Sequence, residues 1–140
     1  MHKIGFNIVD IEGGGKHILI ECKIESKKAI LLIDTGASNS VFDLDYDIFD
    51  RKDFSLVSDE ITSSGFNSTI DEIFVGNIQS LKISRFSTAI ENAIFTSLDH
   101  INKLYNKIDL PKINGILGCD FLLKYNAVID FSKKMLFLKK

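Results

Sequence analysis

A mainly β fold of antiparallel strands and hairpins, with one or two short helices, is what this 140-residue sequence predicts. Three observations carry it. Apolar residues alternate with polar ones over the first third, the pattern of strands with one buried face. Polar, glycine-bearing breaks recur between apolar runs, as hairpins require. Only two stretches, one opening at Thr96 and one after Gly118, carry the capping or spacing of helices.

In chain order, Ile4, Phe6 and Ile8 form one alternating run and Ile18, Ile20, Cys22 and Ile24 a second, with Gly13-Gly14-Gly15 as the turn between them. Gly13 to Lys16 is not a phosphate loop, because the Gly-x-x-x-x-Gly-Lys-Ser/Thr spacing and a following helix are both missing. Lys27-Lys28 reads as a further turn. Ile30 to Ile33 is a continuous apolar run, which predicts a strand buried on both faces. Val41, Phe42 and Leu44 then supply packing, while Asp43, Asp45, Asp47, Asp50 and Asp53 read as a solvated face or loop. Counted from Asp43, a calcium loop would need glycine sixth and glutamate twelfth, and has neither.

Two hairpins are expected between Ser58 and Ile83: one with Ser64-Gly65-Phe66-Asn67 at its tip, and one turning at Gly76-Asn77. Thr96-Ser97-Leu98-Asp99 has capping-box form, and Leu98, Ile101, Leu104, Tyr105 and Ile108 follow at helical spacing, with His100 on the polar side. Asp120 is placed to cap a short helix over Phe121 to Tyr125. Ala127 to Phe131 and Met135 to Leu138 close the chain as a hairpin through Ser132-Lys133-Lys134, with Asp130 as a turn residue. The apolar ends, Ile4 to Ile8 and Leu136 to Leu138, either pair within one chain or build a sheet between two.

Composition sets limits on function. With 45% hydrophobic and 26% charged residues and a single proline, residues 1–140 read as one domain that folds throughout. A net charge of −2 gives nucleic acid no basic footprint. No apolar run reaches membrane-spanning length, and Met1 to Asn7 lacks the apolar core of a signal peptide, so the expected setting is cytoplasmic, with no membrane partner. Cys22 and Cys119 have neither ligand spacing nor scaffold density and are expected as buried or half-buried free thiols. His2, His17 and His100 are scattered, so neither a metal nor another cofactor is expected.

The chemistry concentrates at Asp34, where the apolar run stops and Thr35-Gly36-Ala37-Ser38 turns. A carboxylate at the end of a buried strand needs hydrogen-bond partners, which the following amides can supply. Taken alone this describes a turn carboxylate capping its own loop. The second cluster, Ile113-Asn114-Gly115-Ile116-Leu117-Gly118-Cys119-Asp120-Phe121-Leu122-Leu123, repeats the passage from apolar run to glycine and leads into an amphipathic segment. Together, and in this order, the two motifs resemble the retroviral-type, or retropepsin-like, aspartic proteases. There Asp-Thr-Gly-Ala/Ser follows a buried strand, and an apolar-apolar-Gly motif precedes a short helix. The resemblance spans about Lys16 to Leu138.

The resemblance implies the acid-protease fold, a closed, barrel-like antiparallel sheet with a flap hairpin and one or two short helices, and with it the activity of an aspartic endopeptidase. Two carboxylates sharing one proton activate water and protonate the leaving amide, because like charges about 3 Å apart cannot both ionise. Only one Asp-Thr-Gly occurs in the chain, so a dyad requires Asp34 from two chains and hence a homodimer. By the same resemblance Asp34 is the catalytic carboxylate, Thr35 locks the paired loops across the axis, and Gly36 lets backbone approach water and substrate. Ala37 and Ser38 face substrate, and Ser64, Gly65 and Phe66 occupy the place of a flap closing over peptide. Ala37 lacks the serine hydroxyl of some relatives that favours an ionised carboxylate, which implies an activity optimum of about pH 5 to 6. The alternatives are a noncatalytic peptide-binding or assembly module on the same fold, and a metal hydrolase built on the acidic stretch.

Overall fold

The computed structural model describes residues 1–57 and 72–140. Its strands are β1 (His2–Gly5), β2 (Asn7–Ile11), β3 (Gly15–Ile24), β4 (Lys27–Ile33), β5 (Val41–Asp43), β6 (Ser55–Leu56), β7 (Phe74–Ile83), β8 (Phe86–Thr96), β9 (Gly115–Leu117), β10 (Val128–Asp130) and β11 (Met135–Leu138). Two α-helices accompany them among the described residues, α1 (Asp99–Lys107) and α2 (Cys119–Lys124). Strands β3, β4, β9, β5, β8 and β7 pair in that order, and β7 returns to β3, closing a six-stranded barrel. Closure removes the free edges an open sheet would leave to other chains.

The barrel is mixed rather than purely antiparallel. Strand β9 lies between β4 and β5, parallel to β4 with Leu31, Leu32 and Ile33 opposite Gly115, Ile116 and Leu117, and antiparallel to β5. Strands β5 and β8 are also parallel. Parallel neighbours need long connections, so these pairings are invisible to local turn signals.

The uniform apolarity of β4 has a direct cause. Successive side chains point to opposite faces, and both faces are covered. Leu31 and Ile33 join the barrel core with Ile20, Ile24, Leu81 and Phe95. Leu32 joins Leu19, Leu98, Tyr105, Ile113 and Ile116 in the layer under α1. Fully burying each large apolar side chain stabilises by about 1.5–3 kcal/mol. Helix α1 is tied to the chain before β9 by Asn102, whose Nδ2 donates to Ile113 O (3.0 Å) and whose Oδ1 accepts from Ile113 N–H (2.8 Å).

Several local expectations change. The β3–β4 turn is at Glu25-Ser26, both with left-handed φ, and Lys27 and Lys28 already belong to β4. Gly76-Asn77 is not a turn but a register irregularity inside β7, where Asn77 Oδ1 accepts from Asn92 N–H at 3.0 Å. The turn of that hairpin lies beyond Ile83, with Ser84 at φ 54°, and leads into β8. Asp43 is not solvated: it is 1% exposed, and its Oδ1 accepts from the N–H groups of Asp45 and Leu98. Thr96 ends β8 and donates to Glu72 O instead of capping α1, while Ser97 Oγ accepts from Asp99 N–H (3.3 Å). Helix α2 starts at Cys119, with Gly118 as its N-cap, so Asp120 sits in the first turn.

Other expectations match. The β2–β3 hairpin turns at Gly13 and Gly14, both with left-handed φ. Asp130 closes the β10–β11 turn by accepting from Ser132 Oγ and Lys133 N–H, which holds its carboxyl below the ordinary range. The chain ends pair within one chain: β11 lies between β1 and β10, with His2 opposite Leu138. Cys22 is buried as expected, and burial pushes its thiol up to about 12, whereas Cys119 departs from the expectation of a buried or half-buried thiol and is exposed at the start of α2.

Candidate active site

Strand β4 delivers Asp34 half-buried at the barrel rim, with Thr35, Gly36 and Ser38 exposed beyond it. The register of β9 carries on into the turn, where Asp34 N–H donates to Leu117 O at 3.0 Å. Asp34 then organises its own loop. Oδ1 accepts from Gly36 N–H at 2.9 Å, and the Asp34 carbonyl accepts from Ala37 N–H at 3.1 Å. A Cβ on Gly36 would stand 3.2 Å from that Oδ1, so glycine keeps the amide close to the carboxylate.

The second motif clamps this loop from below. Cys119 N–H donates to Ala37 O at 2.8 Å, and Cys119 Sγ donates to Thr35 O at 2.9 Å. Gly118 N–H donates to Ser40 Oγ at 2.9 Å, and that hydroxyl donates to Asp120 Oδ1 at 2.7 Å, which also accepts from Ser40 N–H. A Cβ on Gly118 would lie 2.7 Å from Ala37 O and 2.9 Å from the Asn39 carbonyl carbon, so only glycine permits the approach. The two motifs, far apart in sequence, are one hydrogen-bonded unit.

No family model and no curated protein matches the chain. Solved structures do. A retropepsin-like aspartic protease from Rickettsia conorii superposes with a TM-score of 0.51 at 19% identity, over 98% of this chain and 92% of that one. The retroviral protease-like domain of Ddi1 from Leishmania major superposes with a TM-score of 0.54 at 15% identity, over 86% of each chain. The fold is retropepsin-like.

Within this retropepsin-like fold, the structure brings Asp34, Thr35, Gly36, Ala37 and Ser38 together on one loop against α2. Thr35, Gly36, Ala37 and Ser38 line one concavity of about 360 Å³ with Cys119 and Leu123. Thr35's own hydroxyl has no partner among the described residues, and Leu123, on the exposed side of α2, is 79% exposed. Ser64, Gly65 and Phe66 lie outside the described residues. Sequence reasoning passed over Ser40, the hub of the clamp. Nothing local marks it, since its partners Gly118 and Asp120 are distant in the chain. For Asp120 it found the backbone bond, to Phe121 N–H at 2.8 Å, but not the Ser40 contact.

Proposed function

We propose that the chain, acting over residues 1–140 as one unit, is an aspartic endopeptidase whose dyad forms from two Asp34 carboxylates in a homodimer. The observation that carries the reading is the Asp34 loop. The Asp34 carboxylate is held by the Gly36 N–H at the rim of a retropepsin-like barrel, beside an exposed Thr35 hydroxyl with no partner among the described residues. One such loop offers half of a dyad. Paired about a twofold axis, two loops would bring the carboxylates together and give each Thr35 hydroxyl an acceptor on the other chain.

In that assembly the shared proton makes one Asp34 the base that activates water and the other the acid that protonates the departing amide nitrogen. Ala37 and Ser38 border the peptide. The peptide would lie extended, held by main-chain hydrogen bonds with side chains in alternating pockets. Ala37 sets a methyl where a hydroxyl would favour an ionised carboxylate, so cleavage peaks at about pH 5 to 6. A profile peaking at pH 2 to 3 would contradict that role of Ala37.

A shared site makes activity depend on concentration. Specific activity against a peptide library falls on dilution as dimers separate, and a pepstatin-type inhibitor abolishes it. Activity that survives dilution as a monomer would sink the shared dyad.

One observation favours the noncatalytic module instead. Strand β11 is paired on both sides inside one chain, by β1 and β10, so the C-terminal segment has no open edge on which to build a sheet between two. Under this reading the isolated protein is monomeric at all working concentrations and binds peptide without cleaving it.

A further inference from the structure

The β3–β7 pairing that closes the barrel rests on two residue pairs, Ile24 with Leu81 inside and Lys23 with Lys82 outside. Lys23 is also directly opposite Lys28 on β4. Three lysines therefore stand in a row across β4, β3 and β7, one strand spacing of about 4.8 Å apart, on the outer face of the seam. Like charges in direct register are destabilising. None of the three has a carboxylate within ion-pair distance among the described residues, where the ion pairs use Lys16, Arg51 and Lys103.

The row borders a cavity of about 530 Å³, also lined by Ser84, Asn114 and Glu21. That size suits a small molecule. Asn114 Oδ1 is taken by Ile30 N–H at 2.9 Å, which leaves its amide nitrogen as a donor with no acceptor among the described residues. Against one carboxylate, Glu21, the cavity sets three ammonium groups, an amide and a hydroxyl. It is remote from the Asp34 loop: Lys28 and Asp34 lie at opposite ends of β4, about 20 Å apart at strand rise.

We propose that this cavity is a binding site for a small oligophosphate, a molecule with two or more linked phosphate groups, which bridges Lys28, Lys23 and Lys82 and staples the barrel seam. A row about 10 Å long suits an extended polyanion better than a single phosphate or carboxylate. Binding to the folded chain alone raises its melting temperature by linkage.

The test titrates the full chain with inorganic tripolyphosphate, orthophosphate and sulfate at low salt, followed by calorimetry, thermal melting and amide NMR shifts. Tripolyphosphate is expected to bind saturably, at least about tenfold tighter than the other two, with shifts centred on Lys23, Lys82 and Asn114. The Lys23→Gln/Lys28→Gln/Lys82→Gln variant loses at least tenfold in affinity. A control with equal charge loss, Lys107→Gln/Lys133→Gln/Lys139→Gln, stays within about twofold. Lys23→Gln alone, a surface change, raises the melting temperature of the unliganded protein at low salt, an effect that fades as salt screens the row. Equal loss in the control, equal affinity for all three anions, or no saturable binding would each overturn the site.

Discussion

Asp34 lies just past β4 and Asp43 is the last residue of β5, yet their surroundings divide their roles. Asp34 is half-buried at an open rim, with the Gly36 N–H as donor to its carboxylate. Asp43 is 1% exposed, has two N–H donors on Oδ1, and keeps a buried Oδ2 with no partner among the described residues. Burial, opposed mainly by those N–H groups and weakly by Lys112, holds the Asp43 carboxyl above its ordinary 3.8. Its proton is therefore retained in the folded state at a pH where the unfolded chain has lost it. Stability from this group is present below about pH 4 and is lost as pH rises through the higher folded value. Asp43→Asn keeps the Oδ1 acceptor and removes the titration, so melting temperature measured from pH 4 to 7 becomes flatter and exceeds that of the wild type at pH 7. An unchanged slope would refute the assignment. The sequence could not separate these two carboxylates, because Asp43 sits in an acidic stretch whose pattern reads as solvated. At the clamp, Ser40→Ala strips the acceptor from the buried Gly118 N–H, a cost of about 1–3 kcal/mol in urea unfolding. Gly118→Ala, forced against Ala37 O, costs about 1–3 kcal/mol and displaces the Asp34 loop.

Elements were legible where one local pattern decided them. Strand β4 and helix α1 announced themselves through an unbroken apolar run and a helical stripe, and the β2–β3 and β10–β11 hairpins through their turns. Strand β8 was not legible. Its alternation is interrupted by Glu91 and Asn92, the latter with left-handed φ, where the register with β7 shifts. Lys27-Lys28 read as a turn because charge marks turns only statistically, whereas Glu25 and Ser26 adopt the left-handed backbone that the turn needs. The terminal sheet makes a prediction of its own. Strand β11 is its centre, and Leu136 and Leu138 are almost fully buried, so deleting residues 137–140 destabilises the chain itself and lowers its melting temperature sharply. A truncated chain that melts like the full one but changes from dimer to monomer would show those residues acting between chains.

Across the whole molecule, the pairing of the two motifs through parallel β4 and β9 converts a short, commonplace tripeptide into a supported loop. That pairing needs a long connection and is fixed only by tertiary structure, so the sequence supplied the motifs and their order but not their clamp. Among the described residues, no helix is long and apolar enough to cross a membrane. The single Asp34 per chain makes dimer assembly the hinge of the proposed chemistry. The most direct test is cleavage of a diverse peptide library by the wild type and the Asp34→Asn variant at pH 4 to 7, with molecular mass recorded on the same samples. Cleavage by a dimeric wild type is expected, with at least about a hundredfold loss in a variant that remains folded and dimeric. Equal cleavage by both proteins, or no cleavage by a wild type that stays monomeric, would contradict it.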